Sequence, residues 1–248
     1  MSHHRVITPV ADIHGAPDEA ALRGKFESQL VYGETFTVDR EENGWCHGVS
    51  AQDGYGGYVQ SKLLQPTSAL KAPTHVVIEA RTPVYRDASI KSPRLDVLSF
   101  GSIVTITEEG EKFSHLFRGG WVYNKHLTTL DLHEDDYVAT AKKFLETPYY
   151  WGGRSGFGID CSGLVQVSLA RAGILVPRDT EKQTDVIGQA IDTTPRTGDI
   201  VFFPGHVGIM VDDENILHAN AFHMKTCIEP LWVVDERSGG ITATRRIG

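Results

Sequence analysis

The first half of the chain repeats itself. Gly33-Glu-Thr-Phe-Thr-Val38 and Gly101-Ser-Ile-Val-Thr-Ile106 read as the same opening strand, and Gly56-Gly57-Tyr58-Val59 and Gly119-Gly120-Trp121-Val122 as the same closing strand. Apolar residues alternate within these runs, as Phe36 and Val38 do, which is the period of a strand with one face buried. Asn43-Gly44 and Asp53-Gly54 are turn signals between such runs. Short strands joined by tight turns, with almost no helical spacing between them, suggest a small β-barrel. The repeat therefore predicts an imperfect duplication of one β unit. The first copy covers 16–68 and the second 74–130, with a linker around Pro66–Pro73 and an N-terminal tail over 1–15.

The texture changes near residue 131. Val138, Ala141, Phe144 and Leu145 lie at helical spacing within Asp131 to Glu146, and Pro148 ends that run. A glycine-rich turn follows over Trp151 to Gly158. Cys161 to Ala172 then places Leu164, Val165, Ser168, Leu169 and Ala172 on one helical face, with Gly173 as a stop. Three strand-like pieces come next, at 199–203, 206–211 and 215–219. Residues 131–248 read as α+β, with helices first and an antiparallel sheet after.

Cys161 stands at the predicted start of a helix, just after the glycine-rich turn. Free backbone N–H groups and the helix dipole at such a position favour a thiolate, the nucleophilic form of cysteine. Unpaired cysteines are more often small core residues, but Asp160 before it and Ser162-Gly163 after it favour a nucleophile. A nucleophilic cysteine needs a base and a group that orients the base. His206 starts one strand and His218 ends the next, twelve residues on, with a turn at Asp212 to Asn215 between them. His206, behind Pro204-Gly205, is the better base. His218 would hold its imidazole in the correct tautomer.

Composition narrows the partners. Lys and Arg number 24 and Asp and Glu 32, a net charge of −8, which argues against nucleic acid as a general ligand. No run of about 18 apolar residues is present, so no membrane-spanning helix is expected. Cys46, Cys161 and Cys227 are odd in number and far apart, so they predict neither a disulfide framework nor a metal knuckle. With no apolar core near the N-terminus, a cytoplasmic location is the expectation.

Specific resemblances follow. Both β copies resemble bacterial SH3-like (SH3b) domains, whose usual ending is Gly-Trp-Val; the first has Tyr58 in place of Trp. Trp151-Gly152-Gly153, Ile159-Asp160-Cys161-Ser162-Gly163-Leu164-Val165, Gly198-Asp199-Ile200-Val201-Phe202-Phe203, His206-Val207-Gly208-Ile209 and Leu217-His218-Ala219 resemble the NlpC/P60 cysteine peptidases over about 134–248. The resemblance implies a multi-domain chain, two small all-β SH3-like barrels followed by an α+β papain-like catalytic domain. It implies a Cys–His–His triad of Cys161, His206 and His218. The longer string Tyr150 to Gly163 behind two SH3-like domains looks like the branch that cuts between γ-D-Glu and a diamino acid. Its substrates are murein peptides with a free amine, L-Ala-γ-D-Glu-diamino acid.

Asp160 fits that branch in a specific way. A carboxylate beside a thiol raises the thiol's pKa, a placement that makes sense if the carboxylate pairs with the substrate ammonium. It would equally serve as a helix N-cap. By the same resemblance Ser162 would add a hydrogen bond. Tyr55 and Glu27, with Glu34 in reserve, would complete an ammonium pocket from the first β unit. Arg178-Asp179-Thr180 would line the diamino-acid side, and Tyr149 and Trp151 would wall the cleft. No metal and no cofactor are expected, and the chain is expected to be a monomer. A wall-cutting peptidase, an amidase or acyltransferase of the same fold, and a noncatalytic wall-binding protein are the alternatives. A zinc hydrolase lacks an HExxH-type ligand spacing.

Overall fold

A computed structural model describes residues 1–18 and 26–248, so part of the first predicted β copy, residues 19–25, lies outside the described residues. The chain divides into two units, Met1–Leu132 with Ser155–Phe157, and His133–Arg154 with Gly158–Gly248.

In the first unit, Thr35–Glu42 is the middle strand of a five-stranded antiparallel sheet. The order is Gly56–Gln60, Trp45–Ser50, Thr35–Glu42, Ser2–Val6, Leu64–Pro66. The alternation of its sequence is the alternation of its burial, with Phe36 0% and Val38 5% exposed. Asn43 (φ 51°) and Gly44 (φ 81°) form its two-residue hairpin turn. Two successive left-handed residues match the strand twist, and Asn-Gly reaches them at low cost.

Residues 1–15 are not a tail. Ser2–Val6 pairs with both Thr35–Glu42 and Leu64–Pro66, and Val10–Ile13 pairs with Ser28–Val31. Val6, Ala11 and Ile13 join Leu30, Phe36, Val38, Cys46, Val59 and Leu64 in one core. Ser2–Val6 escapes a pattern-based reading because only Val6 in it is fully buried. Its backbone ladder, rather than alternating side chains, holds it in place.

A second β assembly in this unit has five strands ordered Arg94–Ser99, Arg81–Tyr85, Trp121–Tyr123, Phe113–Leu116, Ile106–Glu109, and three ordered Ile103–Val104, His75–Val77, Leu127–Thr129. Val77, Val84, Leu98, Val104, Leu116 and Val122 form its core. The same three-strand meander occurs in both assemblies. Thr35–Glu42, Trp45–Ser50 and Gly56–Gln60 in the first answer to Ile106–Glu109, Phe113–Leu116 and Trp121–Tyr123 in the second.

The second unit is α+β. Its helices are α1 (Tyr137–Lys142), α2 (Cys161–Arg171), α3 (Thr180–Val186) and α4 (Leu231–Ser238). The predicted helix over Asp131 to Glu146 shortens to α1, because Asp136 caps it by accepting the Ala139 N–H at 2.8 Å. The sheet is antiparallel, ordered Gln189–Ala190, Ala243–Arg246, Ile200–Phe203, His206–Met210, Asn215–Asn220, Lys225–Pro230. All of Ile200–Phe203 is buried, so this strand is covered on both faces. Val201, Phe203, Met210 and Ile216 pack with Val234 of α4.

The predicted one-sided helix at Cys161 is instead buried all round from Cys161 to Leu169. It packs against α1 and against the strands His206–Met210 and Asn215–Asn220. A helix with neighbours on every side needs no polar stripe. Gly173, at φ 80°, lies just beyond its end, as the stop signal implied.

Candidate active site

The first turn of α2 is built on a buried carboxylate. Asp160 is the N-cap, and its Oδ1 accepts the Gly163 N–H at 2.7 Å. Its Oδ2 accepts the Gly152 N–H at 2.8 Å and an Arg178 Nη2 hydrogen at 2.6 Å. Arg178 also donates to Ser162 Oγ at 2.7 Å, and Ser162 Oγ lies 3.3 Å from Asp160 Oδ1. The Asp160 and Arg178 side chains are 9% and 3% exposed. A Cβ on Gly163 would stand 2.3 Å from the Gly153 carbonyl oxygen, so only glycine lets the loop before Cys161 lie against this turn.

Cys161 is the first residue of α2 and is 7% exposed. Its sulfur lies 4.0 Å from Thr180 Oγ1 and receives backbone hydrogen bonds from Val207 and Ser162. Those bonds favour the thiolate, but burial and the Asp160 charge outweigh them and push the thiol up to about 11. Burial and the Asp160 charge therefore oppose the thiolate that the helix start favours.

Two hairpins assemble the histidines. Phe203 and His206 face each other across Pro204-Gly205, with Gly205 at φ 66°. Asp212 Oδ1 accepts the N–H groups of Glu214 and Asn215 at 2.9 and 2.7 Å, which makes the next turn. Ile209 then faces Leu217, and His206 Nε2 comes 2.7 Å from His218 Nδ1. Burial, then the neighbouring His218 and Arg237, lower His206 to about 3. The Val207 N–H on the Cys161 sulfur places the residue next to His206 at the thiol.

The arrangement continues past His218. Its Nε2 lies 2.8 Å from Glu229 Oε2, and Arg237 grips Glu229 with bonds of 2.9 and 2.7 Å. Arg237 first, with His223 and His218, holds the Glu229 carboxyl down at about 2 against the opposing effect of burial. His218, Cys227 and Glu229 bring an N, an S and an O within 4.8 Å of one another, a spacing a metal ion could use. The Glu229 carboxylate is occupied by Arg237 and His218, however, so the cluster is a closed hydrogen-bond network.

Comparison with known proteins fits this geometry. Residues 146–232 match the NlpC/P60 family, and residues 16–64 match the bacterial dipeptidyl-peptidase Sh3 domain. The chain carries an NlpC/P60 cysteine peptidase domain. A Lysinibacillus sphaericus protein named dipeptidyl-peptidase 6 is 26% identical over 87% of this chain and 86% of its own length. A Bacillus cereus gamma-D-glutamyl-L-lysine dipeptidyl-peptidase is 27% identical over 84% of this chain and 71% of its own. A solved NlpC/P60 family protein from Bacillus cereus shares the fold, with a TM-score of 0.85 at 23% identity over 99% of both chains.

Within the NlpC/P60 domain, Cys161, Asp160, Ser162, Arg178 and Thr180 converge on the start of α2, and His206 and His218 meet across the hairpin. Tyr149 is half-buried, and burial and the charges of Cys161 and Asp160 raise its phenol strongly. Asp179 accepts a hydrogen bond from Lys182 at 3.2 Å, and Trp151 is 62% exposed. Of the two roles open to Asp160, capping is the one its hydrogen bonds display, and Arg178 balances its charge. Tyr55 packs against the core of the first β assembly, and the Glu27 N–H bonds to the Ile13 carbonyl at 2.8 Å. Glu34 is buried and accepts the Val31 N–H at 2.8 Å. Sequence reasoning missed Glu229 and Arg237. The faint signal was the Lys225 to Pro230 run, a strand directly after the one bearing His218.

Proposed function

We propose that this chain hydrolyses the amide between γ-D-glutamate and a diamino acid in murein peptides that begin with a free L-Ala, releasing L-Ala-γ-D-Glu. The observation that carries the chemistry is a thiol at a helix start, a Val207 N–H on its sulfur, and His206 in contact with His218 at 2.7 Å. The substrate class rests on the names of relatives that match over most of both chains.

Raised thiol and lowered imidazole pKa values make the resting pair neutral. The Cys161 proton therefore moves to His206 as sulfur attacks the γ-glutamyl carbonyl. His206 Nε2 is engaged by His218, which leaves Nδ1 to take that proton. The Cys161 backbone N–H, at a helix position without an intrahelical acceptor, is the candidate donor to the oxyanion. Collapse of the intermediate breaks the C–N bond, and His206 returns the proton to the departing amine. Water, deprotonated by His206, then cleaves the thioester and restores the thiol.

A free L-Ala amine exists only after the peptide has left muramic acid. The role is therefore recycling of released peptides, and a cytoplasmic setting belongs to the same reading. The repeated meander and Gly119-Gly120-Trp121-Val122 support reading the second β assembly as a second SH3-like barrel. The test compares L-Ala-γ-D-Glu-diamino acid with its N-acetyl form. Turnover of the free peptide at least about tenfold faster is expected. Equal rates would replace recycling with wall cutting.

A further inference from the structure

We infer that Glu229, held by Arg237, is a positioning residue that sets which nitrogen carries the proton in both imidazoles of the site. Its effect on rate rests on the Cys161/His206 chemistry proposed above. Its effect on the imidazoles rests on hydrogen-bond geometry alone.

The inference starts from the outer end of the network. Arg237 has donors only, and both of its bonds end on the Glu229 carboxylate. Glu229 has acceptors only, and its Oε2 lies 2.8 Å from His218 Nε2, so that nitrogen carries a proton. Asn220 Nδ2, 3.2 Å from the same nitrogen, would prefer it bare. The Asn220 amide is oriented by the His223 N–H, which its Oδ1 accepts at 2.8 Å, and its Nδ2 has another acceptor, Cys227 Sγ at 3.2 Å. The shorter, charged contact to Glu229 wins. His223 Nε2 meets the other carboxylate oxygen at 3.1 Å, and the Cys227 thiol stands 3.9 Å from Oε2, so donors surround the carboxylate.

The consequence passes inward. With its proton on Nε2, neutral His218 offers a bare Nδ1. His206 Nε2, 2.7 Å away, must then donate to it. Neutral His206 is left with a bare Nδ1, the one nitrogen able to accept the Cys161 proton. Without an acceptor at residue 229, His218 is free to take the other tautomer, and His206 would follow it into a form that cannot act as base.

Glu229→Gln makes the idea falsifiable, because Arg237 would claim the single amide oxygen. The amide NH2 would then face His218 and invert both rings. In serine proteases a wrong imidazole tautomer costs about 10⁴ in kcat. For Glu229→Gln we expect kcat at least roughly 100-fold lower with KM nearly unchanged. In Glu229→Gln/Arg237→Met the amide oxygen is released to His218, and recovery of about tenfold or more is expected. Nitrogen-15 imidazole spectra of the full chain should show Nε2–H in both rings of the wild type and Nδ1–H in Glu229→Gln. Wild-type spectra with Nδ1–H on His218 would overturn the inference, as would Glu229→Gln activity within about threefold of wild type. A wild type that cleaves no murein peptide, yet shows Nε2–H in both rings, would refute the substrate reading and uphold Glu229.

Discussion

Cys161 and His206 face an environment that disfavours charge on either. Burial is the largest cause for both, raising the thiol to about 11 and lowering the imidazole to about 3. In the proposed reaction a neutral imidazole is the competent base, so a lowered pKa extends activity toward acid. An ordinary histidine would be only about 3% neutral at pH 5. The turnover number at pH 5 is therefore expected within about threefold of that at pH 7. A fall of about thirtyfold, with folding intact by circular dichroism, would show an unshifted base. The same shift works against stability, because below about pH 6.5 the unfolded chain binds protons that folded His206 does not. At this scale the positions of the three candidate residues were legible in the sequence, since Cys161 is marked by its glycines and helix start and the histidines by paired strands. Glu229 stayed hidden because its bonding partners lie on neighbouring elements and no local pattern marks it.

Among the elements, α2 depends on one buried ion pair more than on its own propensity. Asp160 caps the helix, receives Gly152 and neutralises Arg178, which is 3% exposed. Removing it takes the Asp160 carboxylate away from a buried guanidinium. Asp160→Ala is expected to lower unfolding stability by roughly 3–5 kcal/mol in urea titrations. Asp160→Ala/Arg178→Met should regain at least about half of that loss, because the buried guanidinium is gone. A single-variant loss below about 1 kcal/mol would reduce Asp160 to an ordinary cap. Turn chemistry was readable here, as at Asn43-Gly44 and Gly173. Strand Ser2–Val6 was not, because strand pairing distant in sequence defines it and its own side chains carry little pattern.

For the whole molecule, the duplication in the sequence is visible as a meander that occurs twice, and the change in texture near residue 131 corresponds to the division after Leu132. The net charge of −8 bears on partners rather than fold. The central proposal for the whole chain is hydrolysis through Cys161. The most direct measurement incubates wild type and Cys161→Ala with L-Ala-γ-D-Glu-diamino acid and follows the products by mass spectrometry. Wild type is expected to release L-Ala-γ-D-Glu and the free diamino acid, and Cys161→Ala, folded as wild type, to release at least about 10³-fold less. Equal release by the two proteins, or a wild type that leaves the peptide intact, would contradict the account.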